Sequence, residues 1–390
     1  MQLENRKIKG GYMKSEKKKI LFIANTGRFY HFEKNNMRLL REQGIEVHFA
    51  ANFKLESIDD IQDDGIITHQ IDCTRAPLTL QNITAYKQVC QIVKNEKIKL
   101  IHCHTPVGGL LGRLAALRYK GTGIKVIYSA HGFHFYKGAP FKFWAVIYPV
   151  EWGLSWVTDS LITINHEDYT RAKKNFHASE LLYVPGIGID MARFGGQKID
   201  VVSKRVSLGF EKDDIILLAV GELNDNKNHE ILIKALAQIS NPKIKCCISG
   251  IGFMHDYLSK LIHKYHLENR VSILGYRRDI AELYQMANVF VFPSYREGLS
   301  AALMEAMASE LPVICSDIRG NNDLIDNGKG GYRVSPSSVD QWVDAIRKMI
   351  SERKNWKQYG TYNREKIQSN FSQQQVLHEM KSIYDKYLRV

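Results

Sequence analysis

Cysteine is scarce and scattered in this chain. The six thiols, Cys73, Cys90, Cys103, Cys246, Cys247 and Cys315, include no pair at zinc-ligand spacing, and several fall in apolar runs. They read as small packing hydrophobes, which argues against a disulfide scaffold or a structural metal. Long hydrophobic runs are missing too. No stretch reaches the roughly 18 uncharged apolar residues of a membrane span. The chain opens without the basic-then-apolar order of a secretion signal, so a cytosolic protein is expected. Neither an internal repeat nor a low-complexity tract is present.

What the sequence has is length and positive charge. At 390 residues it exceeds one ordinary core and calls for two domains. A hydrophobic share of 44%, with 10% aromatic residues, is that of a globular chain. The net charge of +13 suits a polyanion, an anionic membrane or a phosphorylated substrate. Part of that charge lies in "NRKIKGGYMKSEKKK", which is polar and aperiodic, so residues 1–17 are expected to form a disordered basic tail. Met13 would make a natural start within it.

From residue 18 onward, short β-rich runs alternate with helical ones. "KKILFIAN", the helix "YHFEKNNMRLLREQG" and "EVHFAAN" come first; "KLIHCHT", "GGLLGRLAALRY" and "KVIYSAH" follow. Such alternation predicts a parallel sheet covered on both faces. After "LLYVPGIGIDMARF" the pattern restarts with "IILLAVG", "KCCISGIG", "VSILGY", "VFVFPS" and "PVICSD", and the stretch around 185–196 is the expected linker. The fold class is therefore α/β, with two Rossmann-like doubly wound domains over 18–190 and 197–368. They should face each other across a cleft at the carboxyl ends of their strands, where ligands bind. A last helix within 369–390 is expected to cross back onto the first domain.

The stretch "PSYREGLSAALMEAMA", residues 293–308, carries the most chemistry. Apolar residues at helical spacing predict a buried helix from Leu299 onward, with Glu305 about two turns inside it. A carboxylate in an apolar helix needs a partner. A loop-to-helix junction offers free N–H groups and a positive dipole end, a natural phosphate site. Gly298 would permit close approach, and the amides of Leu299 and Ser300 would face a diphosphate. Glu297 and Glu305 would accept hydroxyls on its two sides. A nucleotide sugar has this layout of hexose, diphosphate and ribose.

Two glutamates separated by seven residues, followed by "AMA" and preceded by "VFVFPS", resemble the signature of family-four (group 1) glycosyltransferases. Those enzymes have the GT-B fold. The likeness covers about residues 18–390 and includes capsular and exopolysaccharide members. It implies a retaining, metal-independent hexosyltransferase without a cofactor, with Glu297 on the donor sugar and Glu305 on the ribose. In "VGELNDNKNHEILIKAL" the resemblance assigns Lys227 to the diphosphate, while Glu222 departs from the usual Arg. Asn226 and Asn228 would shape that loop, Asn228 within the donor site. Arg277 and Arg278 of "GYRRDI" would border the nucleotide base and supply the missing positive charge. In "SAHGFHFYKG" it places His131 in the cleft as a catalytic group, with His134 toward the acceptor. "ANTGRFYHF" contributes Gly27 and Arg28 to the acceptor side; it is not a GxGxxG, so a nicotinamide enzyme is disfavoured.

His102 and His104 share one face of their strand, a spacing that would permit joint metal ligation. No third ligand is nearby, and hydrogen-bonding roles beside the cleft are expected instead, with His104 on the acceptor side. "GAPFKFWAVIYPVEWGLSW" reads equally as a core helix or as an interfacial one with Lys137 and Lys142 at its start. The expected partners are a UDP-sugar, a lipid-linked saccharide acceptor and an anionic membrane surface, with no nucleic acid, on a cytoplasmic, peripheral protein. A GT-B epimerase and a non-catalytic nucleotide-binding subunit remain as alternatives, the second kept open by Glu222.

Overall fold

A computed structural model describes residues 17–54, 57–76, 79–195 and 199–388. The expected basic tail and the internal start at Met13 lie outside these residues, Lys17 aside. The described residues form two wholly parallel sheets. The first holds β1 (Lys19–Ile23), β2 (Glu46–Ala51), β3 (Ile67–Gln70), β4 (Leu100–His104), β5 (Lys125–Ala130), β6 (Ser160–Thr163) and β7 (Glu180–Tyr183). The second holds β8 (Ile215–Val220), β9 (Ile244–Ser249), β10 (Val271–Gly275), β11 (Val289–Phe292), β12 (Val313–Ser316) and β13 (Gly331–Val334).

The central strands are continuous apolar runs because helices cover both of their faces. Ile20 to Ile23 of β1 and Val289 to Val291 of β11 are fully buried. The strand orders are 3-2-1-4-5-6-7 and 10-9-8-11-12-13. Each reverses beside its first strand, between β1 and β4 and between β8 and β11. Loops diverge at such a switch point, which opens a crevice at the carboxyl ends. The end of β4 and the loops after β1, β5, β8, β10 and β11 carry the candidate residues.

The short strands β3, β7 and β13 are the elements that pattern reading passes over. Each has four residues, and β3 and β7 are only part-buried, so no apolar run announces them.

Ile189 and Ser372 form the point where the chain crosses between sheets and crosses back. Ile189 N–H donates to the Phe371 carbonyl at 2.9 Å, and Gln373 N–H donates to the Ile189 carbonyl at 2.9 Å. The helix Gln373–Leu388 then lays Val376, Met380, Tyr384 and Leu388 into the core of the first sheet, beside Phe22, Met37 and Leu40. Each such burial contributes about 1.5–3 kcal/mol.

Candidate active site

Two loops meet where β8 and β11 end. Asn224 starts the first; its side chain accepts the Lys227 N–H at 3.0 Å and closes a single turn of 3-10 helix over Asp225–Lys227. Lys227 thus ends a turn and does not open a helix; the helix proper is Glu230–Ala237. Asn228 follows with φ 54°, and its amide nitrogen donates to the Pro293 and Pro336 carbonyls at 3.1 and 2.8 Å. Asn228 is buried, and this commitment makes it a fastener of the loop. Asn226 Nδ2 donates to the Arg296 carbonyl at 3.0 Å, and Tyr295 N–H donates to the Asn226 carbonyl at 2.8 Å. So fixed, the loops place Lys227 Nζ 2.7 Å from Glu297 Oε1. The Lys227 ammonium also stands 4.8 Å from the Phe292 ring centre.

The helix expected from Leu299 begins later, at Ala301–Ala308. Ser300 caps it, its hydroxyl accepting the Leu303 N–H at 3.3 Å. The extended backbone that a cap requires keeps residues 297–300 out of the helix. Glu305 therefore stands four residues in, about 6 Å along the axis, not two turns. Neither the Leu299 nor the Ser300 N–H donates to a protein acceptor among the described residues.

Gly298 has a use that its sequence context did not reveal. A Cβ there would lie 2.4 Å from the His131 carbonyl oxygen, and one on Gly132 would lie 3.0 Å from Gly298 Cα. Two glycines let the β5 and β11 loops touch across the domains. Arg319, nine-tenths buried, locks this contact. Its Nη1 donates to Asp168 Oδ1 at 2.8 Å and to the Phe133 carbonyl at 2.9 Å, while Nε donates to the Glu297 carbonyl at 3.2 Å. Asp168 is fully buried, and its other oxygen accepts from Phe133 N–H and Asn165 Nδ2, both at 2.9 Å. One guanidinium thus ties Glu297 to the strand-end that carries His131.

His131 is part-exposed at the cleft wall, with its Nε2 3.2 Å from His104 Nδ1. Burial pushes its pKa down to about 4, so the ring is neutral near pH 7. His104 lies 3.5 Å from Glu33 Oε1, and burial raises the Glu33 carboxyl to about 7. The expectation that His104 has no third ligand nearby is thereby corrected. The helix Tyr30–Glu42 turns Glu33 inward, and ligand atoms of Glu33, His104 and His131 fall within 4.8 Å of one another. A metal-bound imidazole normally anchors its other nitrogen. His104 Nε2 has no such partner among the described residues, so the trio fits a buried polar relay better than a cation site. His102 is committed elsewhere, to Tyr384 Oη at 2.9 Å and Ser129 Oγ at 2.8 Å.

Beyond Lys227 the cleft widens into a cavity of about 1150 Å³ between the domains. Arg28 and Arg75 enter from the first domain, Arg277 and Arg278 from the second, and Arg193 from the stretch that links them. Arg277 is engaged by Asp279 at 2.8 Å, whereas Arg278 has no hydrogen bond or ion pair among the described residues. Glu222, hydrogen-bonded by Asn224 Nδ2 at 3.0 Å, lies on the same wall. Glu305 accepts from Tyr284 Oη at 3.0 Å. Burial raises its pKa to about 7, opposed by Tyr284 and Arg193. Gly27 is buried in the turn after β1, its N–H donating to the Asn52 carbonyl at 3.2 Å, which aims Arg28 at the cavity. His134 borders a smaller pocket with His131, Lys227 and Glu297.

Residues 201–366 match the family described as Glycosyl transferases group 1, and residues 19–165 match Glycosyl transferase 4-like. The chain is 37% identical over 380 residues to EpsD of Bacillus subtilis (strain 168), covering 95% of this chain and 97% of that protein. It belongs to the group 1 glycosyltransferases. This glycosyltransferase is also 28% identical over 310 residues to the UDP-Gal:alpha-D-GlcNAc-diphosphoundecaprenol alpha-1,3-galactosyltransferase of Escherichia coli, with 75% of this chain and 79% of that enzyme covered. Among solved structures, Anabaena HepE in complex with UDP and glucose shares its fold at a TM-score of 0.79 and 18% identity, over 95% of this chain and 100% of that one. The two facing Rossmann-like domains are the GT-B architecture.

Four residues of the candidate site escape sequence reasoning: Arg319, Asp168, Glu33 and Arg193. Arg319 and Asp168 meet across 151 positions, and no local pattern pairs them. Glu33 reads as one more charge on a solvated helix. Its signal was available in the buried stripe it shares with Met37 and Leu40.

Proposed function

We propose that this glycosyltransferase moves a hexose or N-acetylhexosamine, with retention, from a UDP-sugar to a lipid-linked precursor of a capsular or extracellular polysaccharide. The Lys227–Glu297 pair at the switch point of the second domain, held by Arg319 against the His131 strand-end, is the observation that carries it. Support for the acceptor class comes from the diphosphoundecaprenol substrate in the Escherichia coli relative's name.

In this reading Lys227 leaves Glu297 for the donor diphosphate. The N–H groups of Leu299 and Ser300 bind the same group, and the freed Glu297 carboxylate accepts sugar hydroxyls. Glu305 takes the ribose, and Arg278 and Arg277 border the base. Negative charge growing on the leaving diphosphate is met by a preorganised cation and backbone dipoles, commonly the largest catalytic effect. No enzyme nucleophile is required. The departing phosphate oxygen takes the acceptor hydroxyl's proton on the face where the new bond forms. Neutral His131 hydrogen-bonds the donor sugar, with Gly27, Arg28, His104 and His134 on the acceptor side, and no metal or other cofactor takes part.

Glu305 makes donor binding depend on pH. Its carboxyl must be ionised to accept two hydroxyls well, and its pKa is about 7. UDP-sugar affinity should therefore rise as pH rises toward 7 and level off above it, with proton release below that point. For folding the sign is opposite. The proton is held more tightly in the folded state, so this group's contribution is complete below the ordinary carboxylate pKa and is lost as pH rises through about 7. Calorimetry in buffers of different ionisation enthalpy reads the released proton. Equal release from Glu305→Gln would remove Glu305 from the role.

The transfer itself is tested by incubating the protein with UDP-, GDP-, ADP- and CDP-sugars, with and without a lipid-diphosphate saccharide. UDP release from one sugar, accelerated by the lipid, is expected. UDP with a free epimerised sugar would make the protein an epimerase, and nucleotide binding without turnover would make it a binding subunit.

A further inference from the structure

The helix Phe141–Ser155 departs from the rule for surface helices. Its inner side packs Trp144, Ile147 and Tyr148 against the first domain's core, and buried Glu151 meets Arg113 at 2.8 Å. Its outer side should then be polar. Instead Phe141 is 81% exposed, Val146 42%, Val150 36% and Trp152 43%, with Trp156 just beyond at 61%. Ala145, Pro149 and Gly153 fill the same face, and Lys142 is its one charge. Four turns of contiguous apolar surface mark an interaction site. No helix among the described residues is long and apolar enough to cross a membrane, so the face is not one side of a span.

Its surroundings say what it meets. Exposed Lys137 and Lys142 stand at the helix start. The neighbouring helix His166–Asn175 brings Arg171 to 4.8 Å from the Trp144 ring centre and ends on exposed Lys173 and Lys174. His177, just past it, stacks on Trp156 at 3.9 Å. Exposed tryptophans within a basic fringe suit the headgroup layer of an anionic bilayer. A second copy suits it poorly, because a two-fold contact sets each patch against itself and so brings like charges together.

The same helix borders the cleft. A pocket of about 110 Å³ is lined by His131 and His134 on one side and by Ile147 and Glu151 on the other. The His134 ring lies 5.6 Å from Phe143. We propose that the outer face of helix Phe141–Ser155, together with Trp156, seats on an anionic bilayer and holds the acceptor side of the cleft at the membrane surface. This deepens the reading given under Proposed function and rests on it for its purpose, a lipid-linked acceptor delivered from the bilayer. The binding itself needs no substrate.

The test uses the full chain and vesicles of phosphatidylcholine with or without phosphatidylglycerol. Co-sedimentation is expected with the anionic vesicles and should weaken about tenfold without them or at high salt. Val146→Glu with Trp156→Gln should cut binding about tenfold while the melting temperature and UDP-sugar hydrolysis hold. Lys137→Gln with Lys142→Gln should weaken binding to anionic vesicles only. Undiminished binding by the first variant, or none by the wild type, overturns the proposal. A concentration-dependent dimer in light scattering that the first variant abolishes overturns it in favour of a second copy. Absence of UDP release from every protein would count against the proposed transferase and leave vesicle binding to be read on its own.

Discussion

Lys227→Ala lowers turnover by about 10²- to 10³-fold, the loss expected when one preorganised donor to a developing negative charge is removed. The ammonium lies at the carboxyl end of β8, 2.7 Å from Glu297, with a side chain 19% exposed. Its loop is held by Asn224, Asn226 and Asn228, none of which the substitution touches. The fold should lose only about 1–2 kcal/mol, between the values for exposed and fully buried ion pairs. Saturating UDP-sugar kinetics give the turnover, and urea denaturation gives the stability. A turnover within a few-fold of wild type would assign the leaving-group charge elsewhere, to Arg296 on the same pocket wall.

Arg319→Ala is expected to destabilise the protein by about 3–5 kcal/mol, because it strands a buried carboxylate. Asp168 keeps its bonds from Phe133 and Asn165, yet burial already raises its pKa and Arg319 is the charge that opposes this. Arg319→Lys should recover only part of the loss, since one ammonium cannot reproduce a fork reaching three acceptors on two domains. Arg319→Ala with Asp168→Asn should be less destabilised than Arg319→Ala alone, since no buried charge is left unpaired. The loss of activity should exceed the loss of folded protein, because Glu297 is no longer tied to the His131 strand-end. Small-angle scattering should show the ligand-free variant expanded. An unchanged scattering curve with a stability loss under about 1 kcal/mol would deny Arg319 the latch.

Much of this was legible because burial on both faces leaves a strong mark. β1, β8, β11 and β12 are short apolar runs bounded by turn residues, and parallel order follows from the helices between them. Glu297 was singled out by its place at a loop-to-helix junction, Lys227 and His131 by the family resemblance, and the structure sets Lys227 beside Glu297 and His131 against Gly298. The residues that connect them were not legible. Arg319 sits in "SDIRGN" and reads as a surface loop, yet it is nine-tenths buried by a partner from the other domain. The helix after Gly298 starts later than apolar periodicity predicts, because that periodicity runs through Leu299 whereas the Ser300 cap sets the boundary. The aromatic helix was ambiguous for a different reason. Composition shows that Trp and Phe are present, and only packing shows which of them face outward.

The central claim is retaining transfer to a lipid-linked acceptor, and product stereochemistry tests it most directly. With an α-linked UDP-sugar and a lipid-diphosphate saccharide, the anomeric proton of the new residue is read by NMR. An α-linkage in the product, formed about 10²- to 10³-fold more slowly with Lys227→Ala, is the predicted result. A β-linkage would contradict same-face attack, and UDP release with no lipid-linked product would contradict the acceptor.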